Sequence, residues 1–140
     1  MCIRDRNVLQ EPNGKLDHKL IGKVAGQIAK IRRHGHEVLV VSSGSVGAGR
    51  ELCSINESSN SLAAQQILAS VGQARLIQIY TDAFRKHKTT VAQILLTRGD
   101  FGLRTSYLNI RNTLENLLKY KIVPIAVSYT HLTLPTILLV

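Results

Sequence analysis

The chain has 140 residues, 44% hydrophobic and 4% aromatic with no Trp, and a formal net charge of +9. That length supports one domain with a core of Leu, Ile, Val and Ala; no run approaches the ~18 apolar residues of a membrane span, and MCIRDR lacks the apolar stretch of a signal peptide. Two cysteines, Cys2 and Cys53, supply no disulfide framework, which points to a reduced cytoplasmic setting, and the cations (Lys15, Lys19, Lys23, Lys30, Arg32, Arg33, Arg85, Lys86, Lys88) are scattered over polar helix faces with no aromatic platform, so neither a membrane nor a nucleic-acid partner is expected.

Asn13-Gly14 reads as a turn, and Asp17 caps a helix running to about Arg33. Leu20, Val24, Ile28 and Ile31 recur on one face of it, Lys30-Arg32-Arg33-His34 complements its dipole at the end, and Gly35 stops it. Glu37–Val41 follows as a strand, its Val/Leu block reading as buried on both faces. Ser61–Ser70 and Gln73–His87 read as two helical pieces interrupted near Gly72, with Leu76, Tyr80 and Phe84 as a buried stripe in the second. Val91–Leu96 is the next strand. Tyr107, Ile110, Leu114, Leu117 and Leu118 mark an amphipathic helix, and Lys121–Ile125 a last short strand that Pro124 demotes to an edge or a strand end. Strands alternating with helices predict βαβ units: an α/β fold with a mainly parallel sheet.

In such sheets ligands sit beyond the carboxyl ends of the strands, here Ser42–Gly49, Thr97–Asp100 and the loop after Ile125. Ser42, Ser43 and Gly44 bring small side chains and hydroxyls to the first of these, while Gly47 and Gly49 keep the following segment thin enough for backbone N–H groups to approach a ligand. The spacing G-x-x-G-x-G is neither the dinucleotide fingerprint nor a Walker loop, so a tight turn without a ligand fits it as well as an anion site does. Ser43 is the best candidate ligand contact; no partner base marks it as a nucleophile. His34 and His36 read as solvated turn residues, Arg98 and Asp100 as a surface ion pair or a ligand contact. Arg104, Asn109, Arg111 and Asn112 give one helix a polar side suited to holding a loop or another subunit, and Cys53 is assigned nothing.

The two ends read as foreign to the rest. Met1–Arg6 and Val127–Leu132 back-translate as opposite strands of one DNA sequence, which resembles the transposase mosaic end used in sequencing libraries; Thr133–Thr136 continue into what resembles the attached primer. The expected organisation is therefore a non-native end at residues 1–6, a partial domain at 7–125 and a non-native tail at 126–140, with an ordinary C-terminal strand as the alternative for THLTLPTILLV.

Between those ends GHEVLVVSSGSVGAGR (Gly35–Arg50), ASVGQARLIQIY (Ala69–Tyr80), VAQILLTRGDF (Val91–Phe101) and YLNIRNTLENLL (Tyr107–Leu118) followed by VPI (Val123–Ile125) resemble the glutamate 5-kinase family of the amino-acid kinase superfamily, as does the opening NVLQEPNGKLD (Asn7–Asp17). The resemblance implies a three-layer αβα fold, here incomplete, and ATP- and Mg2+-dependent phosphorylation of the side-chain carboxylate of L-glutamate, the first step of proline synthesis, by a cytoplasmic homo-oligomer. It carries substrate binding onto Ser43 and Gly44, and more weakly onto Ser45. It assigns no catalytic, cofactor or metal residue here: the phosphate-binding lysine falls before Asn7, and the acidic loop expected after Val-Pro-Ile is replaced by Ala126-Val127-Ser128-Tyr129. The chain alone is thus expected to be inactive. The alternatives are a sister kinase acting on another carboxylate or phosphate, or a basic nucleic-acid-binding module.

Overall fold

A computed structural model describes residues 11–55, 61–96 and 98–128 of the chain. Helix α1 (His18–Arg33) starts where expected: the Asp17 carboxylate accepts from the Leu20 amide at 2.9 Å. Its buried line is Ile21, Val24, Ala25, Ile28 and Ala29, rotated from the expected one: Leu20 sits at its margin and Ile31 is 38% exposed. Two alanines let the helix lie close to its neighbours there, and Ile31 falls on the turn that leads out to Gly35. The Asn13-Gly14 turn closes through Gly14 N–H to Glu11 O, with Gly14 at φ 77.

Three strands follow, β1 (Val40–Ser42), β2 (Val91–Leu96) and β3 (Val123–Ser128), interleaved with α2 (Ser45–Leu52), α3 (Leu62–Arg85), α4 (Arg98–Gly102) and α5 (Arg104–Lys119). They form one parallel sheet in the order β1-β3-β2. The connection from β1 to β2 steps over β3, and the connection from β2 to β3 steps back. Right-handed crossovers in opposite directions must use opposite faces. Accordingly Val123, Ile125 and Val127 join the core made with α1 and α3, while α5 packs on β3 from the other side. The result is the expected αβα layering.

Two expectations about strands are corrected. The first strand begins later than Glu37, and it is not buried on both faces: Val38 is half-buried and Leu39 is 38% exposed. Helix α5 packs against β3 rather than β1, so the Leu39 side of β1 stays open. The last strand is central, not an edge. Its Pro124 is tolerated because Val123 N–H donates to Thr90 O on the β2 side, which turns the proline nitrogen toward β1, where pairing opens only at Val40–Ile125. The strand also runs past the expected end at Ile125 to Ser128, with Ala126 and Val127 both buried.

The expected break at Gly72 is a third correction, because α3 is a single helix of 24 residues. Gly72 is there for another helix, not for a turn. A Cβ on it would lie 1.8 Å from Ser45 O and 2.4 Å from Gly49 N, and one on Gly49 would lie 2.0 Å from Leu68 O. The backbones of α2 and α3 therefore touch, and Gly49 is thin for α3 rather than for a ligand. Leu76, Tyr80 and Phe84 are buried as expected, each large buried side chain contributing about 1.5–3 kcal/mol.

The three helices that lead into strands end alike. In each, a residue with left-handed backbone follows the last turn, and two N–H groups reach back to orphan carbonyls: Gly35 to Arg32 O and His36 to Ile31 O; Lys88 to Arg85 O and Thr89 to Phe84 O; Lys121 to Leu118 O and Ile122 to Leu117 O. The left-handed residue is glycine once (Gly35, φ 87) and lysine twice (Lys88, φ 53; Lys121, φ 59).

Candidate functional site

The register places Ser42 beside Val127 and Leu96 beside Ser128, so the carboxyl ends of all three strands share one edge of the sheet. At that edge the short β1 turns within two residues into α2. Ser42 is buried at 2% and Ser45 at 0%, whereas Ser43 between them is exposed. A strand alternates its side chains across the sheet, and the turn at Gly44 then carries the chain into the helix. Ser43 thus projects from the rim where the first N–H groups of α2 lack intrahelical partners. Its hydroxyl has no hydrogen-bond partner among the described residues. A carboxylate or phosphate there would meet a hydroxyl, backbone N–H groups and the positive end of a helix.

Three elements hold this corner. Tyr80 of α3 donates its hydroxyl to Ser42 Oγ at 3.1 Å, a buried bond that fixes the strand end. Burial pushes the Tyr80 hydroxyl above the ordinary tyrosine value of 10.0, and the bond to Ser42 pulls it back in part, so near neutrality it remains a donor. Gly44 sits over Leu16 and Leu76: a Cβ on it would come within 2.9 Å of one and 3.2 Å of the other. Its φ of −82 suits any residue, so space, not backbone freedom, calls for glycine. Behind it, Gly72 lies against the Ser45 carbonyl. Farther along α2, Glu51 accepts from His18 Nε2 at 2.7 Å and lies 3.6 Å from Arg75 Nε, which braces the helix against α1 and α3.

Ser43, Gly44 and Ser45 follow one another at this corner, Ser43 exposed and Gly44 and Ser45 buried. Asp100 lies in the first turn of α4 past the end of β2, on the same edge, while Thr97, the Arg98 side chain and the chain after Ser128 lie outside the described residues. His34 and His36 lie at the opposite end of the sheet, exposed; His34 Nδ1–H donates to Lys30 O at 2.8 Å. Arg111 pairs with Glu115 along α5 at 2.7 Å, Arg104, Asn109 and Asn112 are exposed, and Cys53 is the free C-cap of α2. Among the described residues no three His, Cys, Asp or Glu side chains gather into a metal site, and no helix is long and apolar enough to cross a membrane. Sequence reasoning missed Tyr80 and Gly72 as supports of the corner. The first was visible only as one member of an apolar stripe, the second only as a helix breaker.

The model of the amino acid kinase family matches residues 7–140. Among curated relatives, the glutamate 5-kinase of Chlorobaculum tepidum is 46% identical over 119 residues, 85% of this chain and 33% of the relative. That of Pelobacter propionicus is 40% identical over 118 residues (84% and 32%), and that of Geobacter sulfurreducens 43% over 110 residues (79% and 30%). The chain spans about a third of the length of the curated relatives it matches.

Proposed function

The chain belongs to the amino acid kinase family, and from that premise we propose that it forms the acceptor-binding part of a glutamate 5-kinase. The reaction is transfer of the ATP γ-phosphoryl group to the side-chain carboxylate of L-glutamate, giving glutamyl 5-phosphate for proline biosynthesis. One observation carries the reading: an exposed Ser43 between two buried serines, at a strand end that opens directly into a helix N-terminus. Phosphoryl transfer depends mainly on positioning and charge neutralisation, so a corner held rigidly on Tyr80, Leu76 and Gly72 suits the acceptor. In this reading Ser43 donates its hydroxyl to the acceptor, and the backbone of Gly44 and Ser45 lines its seat.

ATP and Mg2+ enter the proposal through the family alone. Among the described residues no cluster of carboxylates fits the cation. Homo-oligomeric assembly, a cytoplasmic setting and the division into residues 1–6, 7–125 and 126–140 belong to the same proposal; reading the source DNA across both junctions tests the division. The 140-residue chain alone is expected to bind glutamate weakly and not to turn it over.

Replacing the matched third of the Chlorobaculum tepidum enzyme with the matching segment of this chain tests the reading. The chimera should form hydroxylamine-trappable acyl phosphate that depends on both ATP and L-glutamate. Ser43→Ala in it should lower kcat/KM for glutamate about 10–100-fold, the loss of one charge-assisted hydrogen bond. A folded chimera that phosphorylates a different acceptor, or is indifferent to Ser43→Ala, refutes the assignment.

A further inference from the structure

Many of the basic residues scattered along the sequence gather at one end of the molecule. All three strands run parallel, so the helix ends that precede them share one end of the sheet, opposite Ser43. Contacts tie these ends together: Arg32 donates to Thr89 Oγ1 at 3.3 Å and to the Lys121 carbonyl, and Val123 N–H donates to Thr90 O. Around Arg32 stand Lys30 and Arg33 from α1, Lys86 and Lys88 from the end of α3, and Lys119 and Lys121 from the end of α5, all exposed. None of these six has an ion-pair partner among the described residues; Arg85 beside them pairs with Asp82 at 3.5 Å. The acidic residues near this end are Glu37, Asp82, which pairs with Arg85, and Glu115, which pairs with Arg111.

A second observation marks the same place. Lys88 and Lys121 occupy the left-handed position of the helix-ending motif that Gly35 fills in α1. Glycine would sit there without steric penalty, and lysine does not. Both strained residues therefore present a cation at this one end.

We propose that this end of the molecule is a binding surface for the phosphate backbone of nucleic acid, contacted without base specificity. Charge complementarity argues for a polyanion. Ile31 and Tyr120 are the large apolar side chains exposed among the cations, too few to insert into a lipid surface. The surface lies apart from the Ser43 corner, so its failure would leave the kinase reading intact, and the converse holds.

The test is fluorescence anisotropy of a labelled DNA duplex of about 20 base pairs titrated with the 140-residue chain. With about four cations on phosphates, affinity falls about 100-fold between ~50 and ~200 mM salt. Lys86→Gln, Lys88→Gln, Lys119→Gln and Lys121→Gln combined should abolish most of the binding. Lys15→Gln, Lys19→Gln, Lys23→Gln and Arg111→Gln combined, equal in net charge, should change it little. If the first combination fails to fold, Lys30→Glu with Arg33→Glu takes its place. Absence of binding at low salt, equal loss in both combinations, or binding only to phosphatidylserine vesicles overturns the proposal.

Discussion

Gly72→Ala probes the crossing that seats the candidate site. The added Cβ would start 1.8 Å from Ser45 O and 2.4 Å from Gly49 N, and ordinary contact begins at 3.4 Å. Backbone atoms block it on both counts, so no side chain can rotate away, and α2 must shift from α3 by about 1.6 Å. Overpacking of this kind destabilises by about 1–3 kcal/mol, partly offset by the ~1 kcal/mol that alanine gains over glycine inside a helix. Gly22→Ala is the matched control, since a Cβ there meets nothing within 4 Å. It should stabilise by up to ~1 kcal/mol. Urea unfolding followed by circular dichroism separates the two, with Gly72→Ala lowering the midpoint and Gly22→Ala raising it. In the active chimera the displaced Ser43 corner should also lower kcat far more than the stability loss explains, because a shift of ~1 Å can cost ~100-fold. If Gly72→Ala proves as benign as Gly22→Ala, the two backbones do not touch and the account of the corner is wrong.

Because the folded Tyr80 hydroxyl keeps its proton at pH values where the unfolded one has lost it, stability is full below pH 10 and declines above it. Urea midpoints from pH 8 to 11 should show that decline, and Tyr80→Phe should flatten it while lowering stability near neutrality by about 1 kcal/mol. Asp17→Ala removes the carboxylate that accepts from Leu20 and should lower stability by ~1 kcal/mol, most of it restored by Asp17→Asn, measured by thermal unfolding. Lys121→Gly relieves left-handed backbone and should raise stability by about 1 kcal/mol despite losing a cation at a helix end; a lower midpoint would refute the strain.

Local rules carried much of the fold. Asp17, Gly35, the Val91–Leu96 run and the Ser42–Gly44 turn each act within a few residues, and each was legible for that reason. The errors arose where a distant segment decided the outcome. Gly72 breaks a helix in isolation; it does not when another backbone occupies the space. Pro124 reads as an edge signal until Val123 is seen bonding to Thr90. The Leu/Val block before Ser42 looked buried on both faces because composition cannot say which strand the covering helix crosses. At the site, Ser43, Gly44 and Ser45 are adjacent in sequence and were readable together, but Tyr80 is 38 residues from Ser42 and only the packing of α3 reveals the bond. The shared location of the cations is hidden for the same reason: spacing along the chain does not show the common end to which three helices deliver them.

Pro124 has one more consequence, for the alignment of the strands. Sliding β3 by one residue would aim the proline nitrogen at β2, where no hydrogen could answer the carbonyl opposite, and would swing Val123, Ile125 and Val127 out of the interior. The missing hydrogen thus acts as a pin: it leaves the correct alignment untouched and penalises its nearest competitor, so the middle strand docks in one way only.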